Sequence, residues 1–228
     1  MVGLTNDGSH NAEHSGGAAD AGSPAAAGSA AAPAAPAPAA TATSAVQSMV
    51  YILVDGENID MTLGQMILQA RPRPDQRPRW ERVARYIGQR FGKNVRPLFF
   101  LNASRGMPIS FIAALQAMGY VPVPLLGEAD QSVVDVAILR TLEALRDRPG
   151  DVVLASHDHD FAHALGAVAG PSRSVAVLGF EEFISSELRD LPHVEVIDLE
   201  HDADAFDGGP LPRVRVIPID EFDPLRFL

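Results

Sequence analysis

Two apolar runs that each end in acids constrain this chain more than any other feature. Val152 to Ala155 is short, β-branched and apolar, and Ser156-His157-Asp158-His159-Asp160-Phe161 follows at once. Far upstream, Val50 to Val54 has the same character and is followed by Asp55-Gly56-Glu57-Asn58. A short run without a polar face is the pattern of a strand covered on both sides, as in the middle of a parallel sheet. In open α/β sheets the ligand crevice lies beyond the carboxyl ends of the strands. Acids at these two positions are therefore expected to face it.

Strand and helix patterns alternate along the rest of the chain. Strands are expected over 50–54, 95–101, 121–125, 152–155, 174–178 and 194–199, and helices over 59–70, 79–91, 108–118, 132–147, 161–168 and 181–189. This alternation specifies an α/β fold, a Rossmann-like three-layer α/β/α arrangement with a mostly parallel sheet. Pro122 and Pro124 put the third strand at an edge, because proline cannot donate to a ladder. An uncovered edge is also where two copies can pair, so a homodimer is among the expected assemblies.

Composition then divides the chain. Residues 1–48 include Ala18 to Thr43, almost wholly Ala, Gly, Pro and Ser. Such a segment buries too little apolar surface to offset its ordering entropy and is expected to be disordered, with no partner indicated. It lacks the basic and leucine-rich regions of a secretory leader, and no run approaches membrane-spanning length. The folded domain is expected over 49–200. Residues 201–228 read as an acidic stretch and then an extended arm, docking through Val214, Val216, Ile217 and Ile219.

The absence of cysteine excludes disulfides, zinc-thiolate sites and thiol nucleophiles, and makes a reducing cytoplasm the expected compartment. A net charge of −11 argues against a protein that coats nucleic acid by bulk charge. The distribution is uneven, however: ten of the 18 basic residues lie between Arg71 and Arg105, with only Asp75 and Glu81 among them. Arg71, Arg73, Arg77 and Arg79 are therefore candidate grips on a nucleic-acid backbone, against a reading as solvated surface. The only lysine, Lys93, lies in the turn Phe91-Gly92-Lys93-Asn94, which rules out a P-loop and a Schiff-base lysine.

Taken in order, Asp55-Gly56-Glu57-Asn58 after a strand, Val134-Asp135 opening a helix, and Ser156-His157-Asp158-His159-Asp160-Phe161 after a second strand resemble the NYN family of the PIN-like nuclease superfamily. The resemblance covers roughly residues 49 to 198. It implies a sheet of order 3-2-1-4-5, with the first and fourth strands adjacent. It also implies that Asp55, Asp135, Asp158 and Asp160 converge as catalytic and metal-binding acids, with Asn58 positioning a ligand or phosphate. Unit charges about 4 Å apart repel by roughly 4 kcal/mol at an effective dielectric near 20. Carboxylates gathered there must protonate, take up water or hold a cation, and an all-oxygen set selects Mg²⁺ or Mn²⁺. The implied activity is metal-dependent hydrolysis of RNA phosphodiesters, that is, a ribonuclease. The alternative is a non-catalytic RNA- or protein-binding regulatory module on the same fold.

The chain departs from the family pattern at Ser132, where relatives carry lysine, and at His157 and His159, where they carry small residues. Each histidine is expected to support the ligands from behind or to point to solvent, with ligation of a transition metal, which would favour Mn²⁺, as the alternative. Structural roles compete with each acid: an N-cap for Asp158, a capping box from Ser132 to Asp135, an Asx turn for Asp55 and a solvated loop for Glu57. A phosphatase or receiver-type phosphotransfer domain also uses a strand-end aspartate, but those families need a later lysine and none follows residue 93.

Overall fold

The computed structural model describes residues 49–104, 106–127, 132–209, 211–213, 217, 219 and 222–226. The expected disordered segment 1–48, and Val214 and Val216 of the expected arm, lie outside these residues. Strand β1 (Met49–Asp55) leads directly into helix α1 (Gly56–Met61), which widens into a π-helical segment, Thr62–Leu68. Helix α2 (Trp80–Phe91), β2 (Asn94–Asn102), α3 (Ile109–Ala117) and β3 (Val121–Leu125) complete the first half. The second half runs α4 (Val133–Arg146), β4 (Asp151–Ala155), a 3₁₀ turn (His159–Phe161) with α5 (Ala162–Val168), β5 (Val175–Gly179), α6 (Ser186–Arg189) and β6 (Val194–Asp198).

The six strands form one sheet of order β3-β2-β1-β4-β5-β6, with every pairing parallel. The expected order is thus observed, with a sixth strand added beyond the fifth. The prolines do place β3 at an edge. Period-two alternation sends the two sides of each strand to different layers. Val50, Ile52 and Val54 pack with Ile59, Trp80, Val83 and Ile87 on one face. Leu53, Val152 and Leu154 pack with Val134, Ile138, Leu142 and Phe161 on the other. All five residues of β4 and all five of β5 are buried, as the unbroken apolar runs require.

Some boundaries differ for identifiable reasons. The first helix begins at Gly56 rather than Ile59, so Asp55 is its N-cap and no loop intervenes. A Cβ at residue 56 would lie 2.3 Å from the Phe99 ring, and only glycine allows that entry. The expected helix 181–189 is split into a 3₁₀ turn at Glu181–Phe183 and α6. After β6 the chain folds back, burying Ala203, Ala205 and Phe206 in the core. Ile219 does not dock as expected but is 87% exposed. Lys93 follows the left-handed cap Gly92 and pairs with the buried Asp151 at 2.5 Å, tying α2 to the start of β4.

Candidate functional site

Because β1 and β4 are neighbours, their carboxyl ends lie side by side. Asp55 Oδ1 accepts the Asn58 N–H at 3.1 Å, which closes the first turn of α1, and Oδ2 accepts the Ser156 hydroxyl at 3.0 Å. Ser156 Oγ in turn accepts the Asp158 N–H at 3.3 Å. One hydroxyl thus joins acids that are far apart in sequence. The Asp55 residue is only 3% exposed. Burial pushes its carboxyl up from the usual 3.8 to about 6; the two hydrogen bonds pull against that shift, and the charges of Asp135 and Asp158 add to it.

His157 is buried and fully engaged. Its backbone N–H and its Nδ1 lie 3.0 and 2.7 Å from Asn58 Oδ1, and Nδ1 is also 3.1 Å from Thr62 Oγ1. Its Nε2 accepts the Phe180 N–H at 2.9 Å. An Nε2 that accepts leaves the proton on Nδ1, so the ring is a neutral donor to Asn58. Burial holds the imidazole down at about 4. The ring stacks on Phe180, with centroids 5.6 Å apart and planes at 7°. Its Nε2 would be 2.8 Å from a Cβ at residue 179, so Gly179 makes room for it. His157 therefore neither points to solvent nor offers a nitrogen to a metal. It takes the expected place behind the acids and fixes Asn58.

Asp158 caps the 3₁₀ turn, its Oδ1 accepting the Asp160 N–H at 3.0 Å, so the structural role expected for it is real. The exposed His159 lies between two acids, with Nδ1 3.4 Å from Asp158 and Nε2 3.3 Å from Asp160. Ligand atoms of Asp158, His159 and Asp160 all fall within 4.8 Å of one another. Asp135 stands on the first turn of α4, half-buried. Its carboxyl is pushed up first by burial and then by the charges of Asp158 and Asp160, while a hydrogen bond from Ser132 opposes the shift. The expected capping box is not formed: Ser132 is the N-cap residue but makes no side-chain bond to the helix backbone. Asp55 and Asp135 lie outside the 4.8 Å group and are coupled to it through charge. Glu57 is exposed and borders a different hollow, beside Asp60 and Arg71.

The arginines divide. Arg77 grips Asp60 through two bonds of 2.9 and 2.7 Å, Arg73 pairs with Asp75 at 3.0 Å, and Arg79 pairs with Asp207 at 2.5 Å. Arg71 is exposed and has no ion-pair partner among the described residues. Sequence reasoning missed a second acidic group, Asp198, Glu200 and His201. The Asp198 carboxylate accepts the N–H groups of Glu181, Glu200 and His201, and Glu200 pairs with Arg213 at 2.6 Å. This group is a structural knot that holds the returning chain. The missed parts of the main site are Ser156 and Thr62, whose only sequence signal is a hydroxyl near each acidic strand end.

The donor set at the strand ends consists of carboxylates without thiols, and burial plus mutual repulsion raises two of them. Such a set fits a hard divalent ion, which would offset the charge that these acids cannot comfortably hold.

A family model described as NYN domain matches residues 49–200. Among solved structures, the chain is similar to a protein of unknown function from Vibrio parahaemolyticus, at 22% identity and a TM-score of 0.52. That match covers 69% of this chain and 96% of the other, and it supports the fold alone. No curated protein matches.

Proposed function

The chain belongs to the NYN domain family, with its PIN-like nuclease fold, and from that premise we propose that it is a divalent-metal-dependent ribonuclease that hydrolyses RNA phosphodiester bonds. The observation that carries this reading is the Asp55 carboxylate, buried at the end of β1 and pushed up further by Asp135 and Asp158. Asp55 and Asp158 would hold Mg²⁺ or Mn²⁺, with Asp135 and Asp160 completing the set. When bound, the ion would neutralise the acids and polarise the scissile phosphate. Ser156 keeps the Asp55 carboxylate oriented through its hydrogen bond. His157 occupies the Asn58 carbonyl oxygen, which turns the Asn58 amide N–H₂ into the free donor of that side chain, suited to a phosphate oxygen.

Arg71, Arg73, Arg77 and Arg79 would grip the backbone away from the reacting bond. The Arg73–Asp75 pair is exposed and screened by solvent, so an incoming phosphate competes with it readily. No helix among the described residues is long and apolar enough to cross a membrane. Action on RNA in the cytoplasm is part of this proposal.

A non-catalytic RNA- or protein-binding role is the second reading, favoured by Ser132 in the place of the relatives' lysine. The test is incubation of end-labelled single-stranded RNA with Mn²⁺ and either the native chain or Asp55→Ala. Cleavage by the native chain alone is expected; equal cleavage by both would expose a contaminating nuclease and remove the enzymatic reading. Calorimetric titration with Mn²⁺ should show binding that Asp158→Asn weakens.

A further inference from the structure

A niche of about 290 Å³ opens between α1, the start of α2, β2 and α3, bordered by two of the arginines proposed to grip the backbone, Arg71 and Arg77. Its apolar wall is Trp80, Phe99, Leu101 and Phe111. Trp80 and Phe111 both meet Phe99 edge-on, at 5.2 and 5.4 Å, so the wall is a rigid aromatic cluster. Its polar rim is Glu57, Asp60, Arg71 and Arg77. On the rim, the Arg71 guanidinium has no partner among the described residues. Gly56 and Glu57 line the niche and directly follow Asp55 in the chain. A wider groove of about 800 Å³, lined by Met61, Gly64, Gln65 and Gln69, meets it at Glu57, Asp60 and Arg71.

We propose that this niche receives one unpaired nucleobase of the RNA strand and so sets which nucleotide is presented beside the acids. The inference rests on the RNA reading of the previous section. Its volume suits a single flat ring system rather than a larger ligand, at the low end of small-molecule pockets. A base offers an apolar face to Phe111, the half-buried ring of the wall, and a hydrogen-bonding edge to the rim. The bidentate Arg77–Asp60 pair holds rim donors and acceptors in fixed positions, as edge recognition needs. An aliphatic side chain from a protein partner would satisfy the wall but strand the rim's polar groups, which is unfavourable. Arg71, with no acid paired to it among the described residues, is placed to meet the attached phosphate.

The assay uses the single tryptophan of the chain, Trp80, as its reporter. Nucleoside monophosphates of all four bases are titrated into the full-length protein in EDTA, with emission excited at the red edge. Saturable quenching is expected, with at least one base preferred. Phe111→Ala, which removes one stacking surface, should weaken it about tenfold. Arg71→Ala should weaken monophosphates but not the matching nucleosides. Thermal unfolding checks that Phe111→Ala folds, and Arg71 is exposed, so its variant keeps the test valid on its own.

Absence of saturable quenching by any nucleotide, or quenching indifferent to both substitutions, would overturn the assignment. So would saturation by phenylalanine amide but not by nucleotides, which would mark a seat for a protein side chain. The two readings fail separately. Quenching without any Mn²⁺-dependent cleavage removes only the enzyme, and cleavage without quenching removes only the niche.

Discussion

Two buried groups of the site titrate in the same range with opposite signs, and Asp55→Asn separates them. The carboxyl of Asp55 rises from 3.8 to about 6 on folding. Its contribution is fully present below the unfolded value and is lost as pH rises through 6. At 1.36 kcal/mol per pH unit, ionising it in place costs about 3 kcal/mol. His157 falls from 6.5 to about 4. Its contribution is present above 6.5 and is lost as pH falls through 4, and it also amounts to about 3 kcal/mol. Between pH 4 and 6.5 the two slopes nearly cancel in the native chain. Asparagine keeps the oxygen that receives the Asn58 N–H and removes the charge. The variant should therefore match the native stability near pH 4 and exceed it by about 3 kcal/mol near pH 7. Urea denaturation in EDTA at half-unit pH intervals measures this directly. A constant offset between the two curves, with no growth from pH 4 to 6.5, would show that Asp55 is not the buried, repelled acid described above. Excess Mn²⁺ should then narrow the gap at pH 7, because it stabilises only the chain that keeps the carboxylate.

Other outcomes follow from the same geometry. His157→Gln should unmask the Asp55 slope, so that stability falls from pH 4 to 6 as measured by the same titration. Gly56→Ala should cost about 1–3 kcal/mol in urea denaturation, because its Cβ meets the Phe99 ring and forces the β1–α1 junction to shift. Arg213→Ala should destabilise by about 3 kcal/mol, since it takes the cation away from the buried Glu200 and uncovers the Phe180 ring, 5.5 Å from the guanidinium. Because Phe180 stacks on His157, the same variant should also move the His157 resonances in proton NMR.

The resemblance to the family and the alternation of patterns made the sheet order legible, and the acids were legible as strand-end residues. Less visible was how those acids are held. Ser156 is one small residue in a motif, and nothing local says that its hydroxyl spans two strands to reach Asp55. For His157 the sequence left a supporting place, a surface place and a ligand role all open, because it shows only that a titratable ring follows a buried strand. Its partners, Asn58, Thr62 and Phe180, come from three other segments. The arginine run showed the same limit, since Asp60 and Asp207 become partners of Arg77 and Arg79 only when the chain folds back.

By itself the sequence determined the layers and the strand ends, because burial of apolar runs and the side-chain periods of 2 and 3.6 act over neighbouring residues. Only tertiary structure decided which acids are buried, which imidazole is neutral and which acids the arginines pair with. Those properties depend on desolvation and on charges brought close by distant segments, and neither is encoded at any single position.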